Sequence, residues 1–245
     1  MDPILNVLSV TGGRQLPTCD LAGAETDHVA WVREPRILWE KRLTAKLYVI
    51  LHRELPIGIT LPDWVVPIWT DTPEWDFVTY HNEVWKDFEA PEPEVSSGTF
   101  VERTAQIGPI GMKIVQKNGQ LLWMKHIGRI RIDSRGYIGP QAVVHRAKFR
   151  ATILEDEVAV GAFGNIGHGA FIGRQTILAP GVLVGGSVRI GRCCFLGQGC
   201  NIRDNVRICD RVKIGMGAVV VKDIDEPGIY FGVPARRIGG WDGRW

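Results

Sequence analysis

From Leu154 to Val220 an aliphatic side chain returns at every sixth position: Leu154, Val160, Ile166, Ile172, Leu178, Val184, Ile190, Leu196, Ile202, Ile208, Ile214 and Val220. Ile132, Ile138 and Val144 carry the series backward, and the extra residues in RAKFRA, between Val144 and Leu154, predict a protruding loop. A period of six suits neither an amphipathic helix, which repeats at about 3.6, nor a half-buried strand, which repeats at about 2. It suits a solenoid of short strands and tight corners, in which each coil covers the apolar edge of its neighbour. The aliphatic residue is read as pointing inward. The residue after it is often Gly (Gly161, Gly167, Gly173, Gly185, Gly191, Gly197, Gly215), read as the place where the backbone turns the corner. The fourth residue after it is small or β-branched, which places Cys194 and Cys200 inside as packing residues.

The first part of the chain lacks this period. KLYVIL and VVPIW are β-branched apolar runs and predict strands. EPRILWEKRLTA and PEWDFVTYHNEVW predict helices, each opening with a proline near its first turn. DFEAPEPEVSSG is rich in Pro, Glu and Ser and reads as a linker. The expected organisation is an α/β domain over 1–86, a linker over 87–99, a solenoid over 100–238 and a tail over 239–245. The fold class is mainly β.

Formal net charge is +2, which gives no electrostatic case for nucleic acid. No apolar run is long enough to span a bilayer. The opening MDPILNVLSVTGGR has no basic region before its apolar residues and does not read as a secretory signal. Five cysteines without a CxxC pair suggest reduced thiols and a cytoplasmic protein.

An aliphatic residue, then Gly, two free positions and a small residue: this pattern resembles the hexapeptide-repeat acyltransferases. The resemblance implies a left-handed parallel β-helix with three short strands per coil. Residues one coil apart then stack at the strand spacing. Gly186 is expected one coil above His168, and Arg146 one coil below it once the extra loop is allowed for.

His168, in GNIGHGAFIG, is two residues past the inward Ile166, at an outward corner. It reads as a surface histidine, a zinc ligand or a general base. The zinc reading needs further histidines in an H-x4-H spacing, which the chain lacks, so no metal is expected. An imidazole suits proton removal from an attacking amine or hydroxyl. The stretch resembles UDP-3-O-acylglucosamine N-acyltransferases and bacterial nucleotide-amino-sugar acetyltransferases, which hold their catalytic histidine at this coil position. The resemblance implies that Gly186 offers a backbone N–H to the thioester oxygen. It also implies that Gly185, Gly186, Lys213, Lys222, Pro234, Arg236 and Arg237 meet coenzyme A. Acyl-CoA, probed as acetyl-CoA, would then be a co-substrate, with no permanently bound cofactor.

The N-terminal part and the interrupted first coils, IGPIGMKIVQKNGQLLWMKHIGRIRI, resemble the first of those families. KNGQ is expected to turn a hairpin. The resemblance implies substrate contacts from Trp31, Glu34, Pro73, Phe77, His145 and Arg146, the first four of them in the nucleotide-binding-like domain. The chain departs from that family at Ile37, where a second stacking aromatic stands, at Glu34, which replaces an Asn, and at Asn205, which replaces a second histidine. Gly169 follows the histidine in place of Asn, Asp or Glu. With the sequence reading GGWDGRW after the coils, no counterpart is expected for the family's C-terminal helical extension, which helps receive acyl carrier protein. The expectation is a homotrimer that transfers a short acyl group to the amine of a nucleotide-linked amino sugar. Two alternatives stay open: the acyl-carrier-dependent N-acyltransferase of the lipid A pathway, and a non-catalytic sugar-binding scaffold.

Overall fold

The computed structural model describes residues 2–11, 14–19, 28–32, 38, 46–54, 59–241 and 243. The chain divides into two compact units, Met1–Phe88 with Met112–Lys125, and Glu89–Gly111 with His126–Trp245.

The first unit contains helix α1 (Pro3–Val10), strands β1 (Val29–Trp31), β2 (Leu47–His52) and β3 (Val65–Thr70), and helix α2 (Pro73–Val84). The strands form a parallel sheet in the order β1-β2-β3. KLYVIL and VVPIW supply β2 and β3, whose buried residues pack with Leu38 and Val32. Asp2 caps α1 by accepting the Ile4 N–H at 2.8 Å, and Pro73 opens α2 where its missing N–H costs nothing. The helix expected over 34–45 lies almost wholly outside the described residues. KNGQ does turn a hairpin: Ile114–Lys117 pairs antiparallel with Gln120–Trp123. Asn118 (φ 49°) and Gly119 (φ 77°) have the two left-handed conformations that a type I′ turn demands. The hairpin belongs to the first unit although its sequence interrupts the second.

The second unit is a parallel β-solenoid with three faces. Face one holds 106–110, 143–146, 165–166, 183–184, 201–202 and 219–220. Face two holds 94–95, 129–132, 151–154, 171–172, 189–190 and 207–208. Face three holds 100–101, 137–138, 159–160, 177–178, 195–196, 212–214 and 228–231, and ends in the antiparallel strand Arg236–Gly239. Part of the segment expected as linker is therefore a strand: Glu94–Val95 pairs with Arg131–Ile132. The pairing register advances one coil from Ile166 to Val184 and from Val184 to Ile202. The inward aliphatic ladder and the small residues opposite it form one continuous core that includes Cys194 and Cys200. Each aliphatic side chain in it contributes about 1.5–3 kcal/mol by leaving water. Burial pushes both thiols up to about 12, so neither forms a thiolate near neutral pH.

The corner works differently from the sequence reading. Left-handed backbone recurs three residues after the aliphatic, at Glu157, Phe163, Gly169, Gln175, Gly181, Ser187, Cys193, Gly199, Asn205, Arg211 and Gly217. The glycines directly after the aliphatic do not turn the chain. They are required because adjacent coils touch there: a Cβ on Gly173 would stand 2.6 Å from the Gly191 carbonyl carbon, and one on Gly161 2.6 Å from the Pro180 nitrogen. The extra residues of RAKFRA form one widened corner rather than a free loop. The Ala147, Lys148 and Arg150 carbonyls accept from Gly128, Ile127 and Arg129 on the preceding coil.

Candidate functional site

The corner between faces one and two carries His168. Its carbonyl accepts the Ser187 N–H at 2.8 Å, and the Gly186 carbonyl accepts the Asn205 N–H at 2.9 Å. His168, Gly186 and Asp204 therefore stack in one column on three successive coils, with Lys222 next by register. A Cβ on Gly186 would stand 2.6 Å from His168 Nε2, and one on Gly111 would stand 2.9 Å from His168 Cδ2. The imidazole thus fills a slot that exists because both residues are glycines. Gly169, in left-handed conformation at φ 70°, turns the chain directly after it and donates its N–H to Thr152 Oγ1 at 2.8 Å. Asn and Asp are among the few other residues at ease in that conformation.

The sequence placed His168 at an open corner. The structure shows it half-buried, because Gly111, His126 and Lys148 close the corner around it. His168 Nδ1 is buried without a hydrogen-bond partner. Burial, with Lys148 and His126 nearby, lowers the imidazole pKa to about 4, against a smaller upward pull from Asp204. The ring is neutral at physiological pH, the state that can take a proton.

The other expected site residues divide by location. Gly185 lies beside Gly186, with its N–H on the Ile202 carbonyl at 2.9 Å. The Gly186 N–H, expected to face a thioester oxygen, is instead donated to Asp204 Oδ1 at 2.6 Å. A carboxylate acceptor on the next coil holds it. Arg146, expected beside the substrate, is 5 % exposed. Its guanidinium donates to the Gly128 and Pro91 carbonyls, each at 2.8 Å, so it braces the first coils. His145 Nδ1 lies 3.3 Å from the Ile110 carbonyl. Lys213 is on face three, 5.8 Å from the Phe195 ring centroid. Pro234 follows a cis peptide bond, Arg236 is exposed, and Arg237 lies 3.9 Å from Glu226. Of the expected coenzyme contacts, Gly186 and, by register, Lys222 share the His168 column.

In the first unit, Lys113 Nζ lies 5.6 Å from the Trp31 ring, whose Nε1 is buried without a partner. Glu34 and Ile37 lie outside the described residues. Phe77 is buried against His81 and so faces the interior of the unit, while Pro73 is the first residue of α2. A cleft of about 480 Å³ opens beside Pro73, lined by Arg53, Trp69, Thr72, Asp76 and Lys117 among others. Asp76 is buried and accepts from Thr70 Oγ1 and from Thr72 Oγ1, the latter at 2.9 Å. Lys117 Nζ donates to Thr72 Oγ1 at 3.1 Å.

Four residues around His168 were not expected: Gly111, His126, Lys148 and Asp204. Asp204 was within reach, being two coils from His168 on the eighteen-residue register. The others stand in segments where the period fails. Among the described residues no three His, Cys, Asp or Glu side chains cluster to hold a metal ion, and no helix is long and apolar enough to cross a membrane.

Residues 187–222 match the family described as bacterial transferase hexapeptide (six repeats). Over 127 residues the chain is 39 % identical to a UDP-3-O-acylglucosamine N-acyltransferase of Acidovorax sp. (strain JS42), covering 52 % of this chain and 39 % of the relative. Over 130 residues it is 45 % identical to the protein of that name from Idiomarina loihiensis, covering 53 % and 38 %. The chain thus spans about two fifths of the length of the curated relatives it matches. Among solved structures, LpxA from Acinetobacter baumannii aligns at 18 % identity and a TM-score of 0.46, covering 60 % of this chain and 72 % of the other. AntD, an N-acyltransferase from Bacillus cereus, aligns at 16 % identity and a TM-score of 0.41, covering 65 % and 88 %.

Proposed function

We propose that this hexapeptide-repeat protein is an acyltransferase that moves an acyl group from a thioester to the amine of a nucleotide-linked amino sugar, with His168 as general base. The observation that carries the reading is the neutral imidazole seated in its glycine slot at the solenoid corner. The curated relatives named as N-acyltransferases support the reaction class. With Nδ1 buried, Nε2 is the nitrogen left to meet a reactant. The amine nitrogen attacks the thioester carbonyl and a C–N bond forms while Nε2 takes the amine proton. The C–S bond breaks, and the proton passes from Nε2 to the departing thiolate.

Gly186 serves this reading through its missing side chain, since its N–H is engaged by Asp204. Lys148, close enough to His168 to lower its pKa, adds positive charge on the side where an oxyanion would develop. The cleft beside Pro73 is the candidate nucleotide site, with Trp69 for the base and Lys117 and Arg53 for phosphate. Coenzyme A is the proposed donor carrier, with Lys222 in the donor path, and a homotrimer is the proposed assembly.

The test is release of free thiol from acetyl-CoA in the presence of UDP- and dTDP-linked amino sugars, with 3-hydroxyacyl carrier protein as the competing donor. His168→Ala should lower turnover by about 10²–10⁴-fold, as loss of a general base does. Near-normal turnover in that variant ends the assignment. Turnover with the carrier-protein donor alone would overturn the coenzyme A reading and leave the base in place.

A further inference from the structure

A second histidine stands against the first. His126 is 1 % exposed, and its ring meets that of His168 edge to face, with centroids 5.3 Å apart and planes at 86°. Its Nδ1 lies 3.0 Å from the Gly111 amide nitrogen and 3.0 Å from the Arg146 carbonyl oxygen. That nitrogen accepts from the first or donates to the second, according to tautomer. Its Nε2 is buried with no partner. A buried imidazole nitrogen without a partner loses its hydration and gains nothing in return. An apolar ring would fill this interior position without that loss.

The Gly111 backbone ties the two rings together. A Cβ there would stand 2.8 Å from His126 Cε1 and 2.9 Å from His168 Cδ2. The His168 ring is therefore confined on one side by Gly186 and on the other by Gly111 and the ring of His126. Arg146 holds the ground beneath, since its side chain braces the Gly128 carbonyl while its own carbonyl lies 3.0 Å from His126 Nδ1. The charged and titratable groups that face the pair are Lys148 from the widened corner, Asp204 from the column, and His145 on the side of His126.

We propose that His126 is a positioning residue for His168: held at Nδ1 by the Gly111 amide or the Arg146 carbonyl, its ring is the wall that holds the His168 imidazole with Nε2 outward. The inference rests on the reading of His168 as general base for its catalytic consequence, and on geometry alone for the positioning. Removing the wall lets the imidazole rotate and lets water reach it. Misplacement on the order of 1 Å costs about 10²-fold in such sites.

The experiment compares the full-length protein with His126→Ala and His126→Phe, each first checked for an unchanged melting profile. Long-range ¹H–¹⁵N spectra of His168 report its tautomer and titration, and thiol release from acetyl-CoA with the amino-sugar panel reports kcat and KM. His126→Ala should lower kcat by about 10²-fold at little-changed KM and raise the titration midpoint of His168. His126→Phe, which keeps a ring in the slot, should restore most of kcat and the single His168 tautomer. An unchanged His168 titration in His126→Ala overturns the proposal, and so does failure of a folded His126→Phe to restore the tautomer. His168→Ala separates the two readings. If it retains turnover, the general-base reading fails, while the His168 spectra of the His126 variants still decide the positioning.

Discussion

His168 has room to work only because two glycines decline to fill it. Gly186→Ala would bring a methyl to 2.6 Å from Nε2. The column is also tied to Asp204, whose carboxylate holds the Gly186 N–H, so the backbone resists withdrawal. The ring is the softer partner and must move. Turnover should fall by about 10²-fold, with melting nearly unchanged, because the displaced group is a half-buried side chain rather than core. A fall in melting that matches the loss of turnover would place the effect in the fold instead. The pH profile follows from the same burial. In the unliganded protein His168 titrates at about 4, so on the general-base reading kcat/KM should be flat through neutral pH and fall only on approaching that value. The folded-state value is depressed below the usual value near 6.5, so His168 contributes stability that is present above pH 6.5 and is lost as pH falls from there towards 4. His168 itself was legible in the sequence, because an imidazole among small residues at a counted position stands out. His126 was not, since the hairpin breaks the count before it and nothing local links it to a residue beyond the widened corner.

At the scale of the element, glycine does two unrelated jobs at the corners. Gly173 is needed for approach, since its Cβ would meet the Gly191 carbonyl carbon at 2.6 Å. Gly181 is needed for conformation, with φ 73° and nothing nearer than 3.8 Å to an added Cβ. Gly181→Ala should cost about 1–2 kcal/mol, the left-handed penalty of an ordinary residue. Gly173→Ala should cost more, above about 3 kcal/mol, because two backbones must part across a hydrogen-bonded pair of coils. Urea midpoints of the two variants decide it, and equal losses would refute the distinction. The period of six fixed which residues face inward, because burial selects aliphatic side chains. It did not say which corner residue turns, because Glu157, Phe163 and Cys193 accept left-handed backbone without any signature of their type. Period reports packing; conformational strain at an exposed corner leaves no such trace. The sequence reading therefore assigned the turn to the commonest glycine and missed its reason.

At the scale of the molecule, the two units differ in how they are held. The solenoid is a series of similar coils, each stabilised by its neighbours. The first unit is closed by long-range contacts between distant segments, and Tyr80 is the clearest of them. Its buried hydroxyl donates to the Leu16 carbonyl at 2.9 Å and accepts the Leu16 N–H at 2.9 Å. The hairpin is tied into the same unit: Asn82 donates to the Trp123 carbonyl at 2.7 Å and accepts the Lys125 N–H at 2.9 Å. Calorimetry should therefore show two transitions rather than one. Tyr80→Phe leaves two buried backbone groups without a partner, at a cost of about 1–3 kcal/mol. It should lower one transition and leave the other in place. Gly173→Ala, confined to the coils, should lower the other and thereby assign both. A single transition shifted by either variant would mean that the chain melts as one cooperative body, with the hairpin that interrupts the first coils as the segment that couples them.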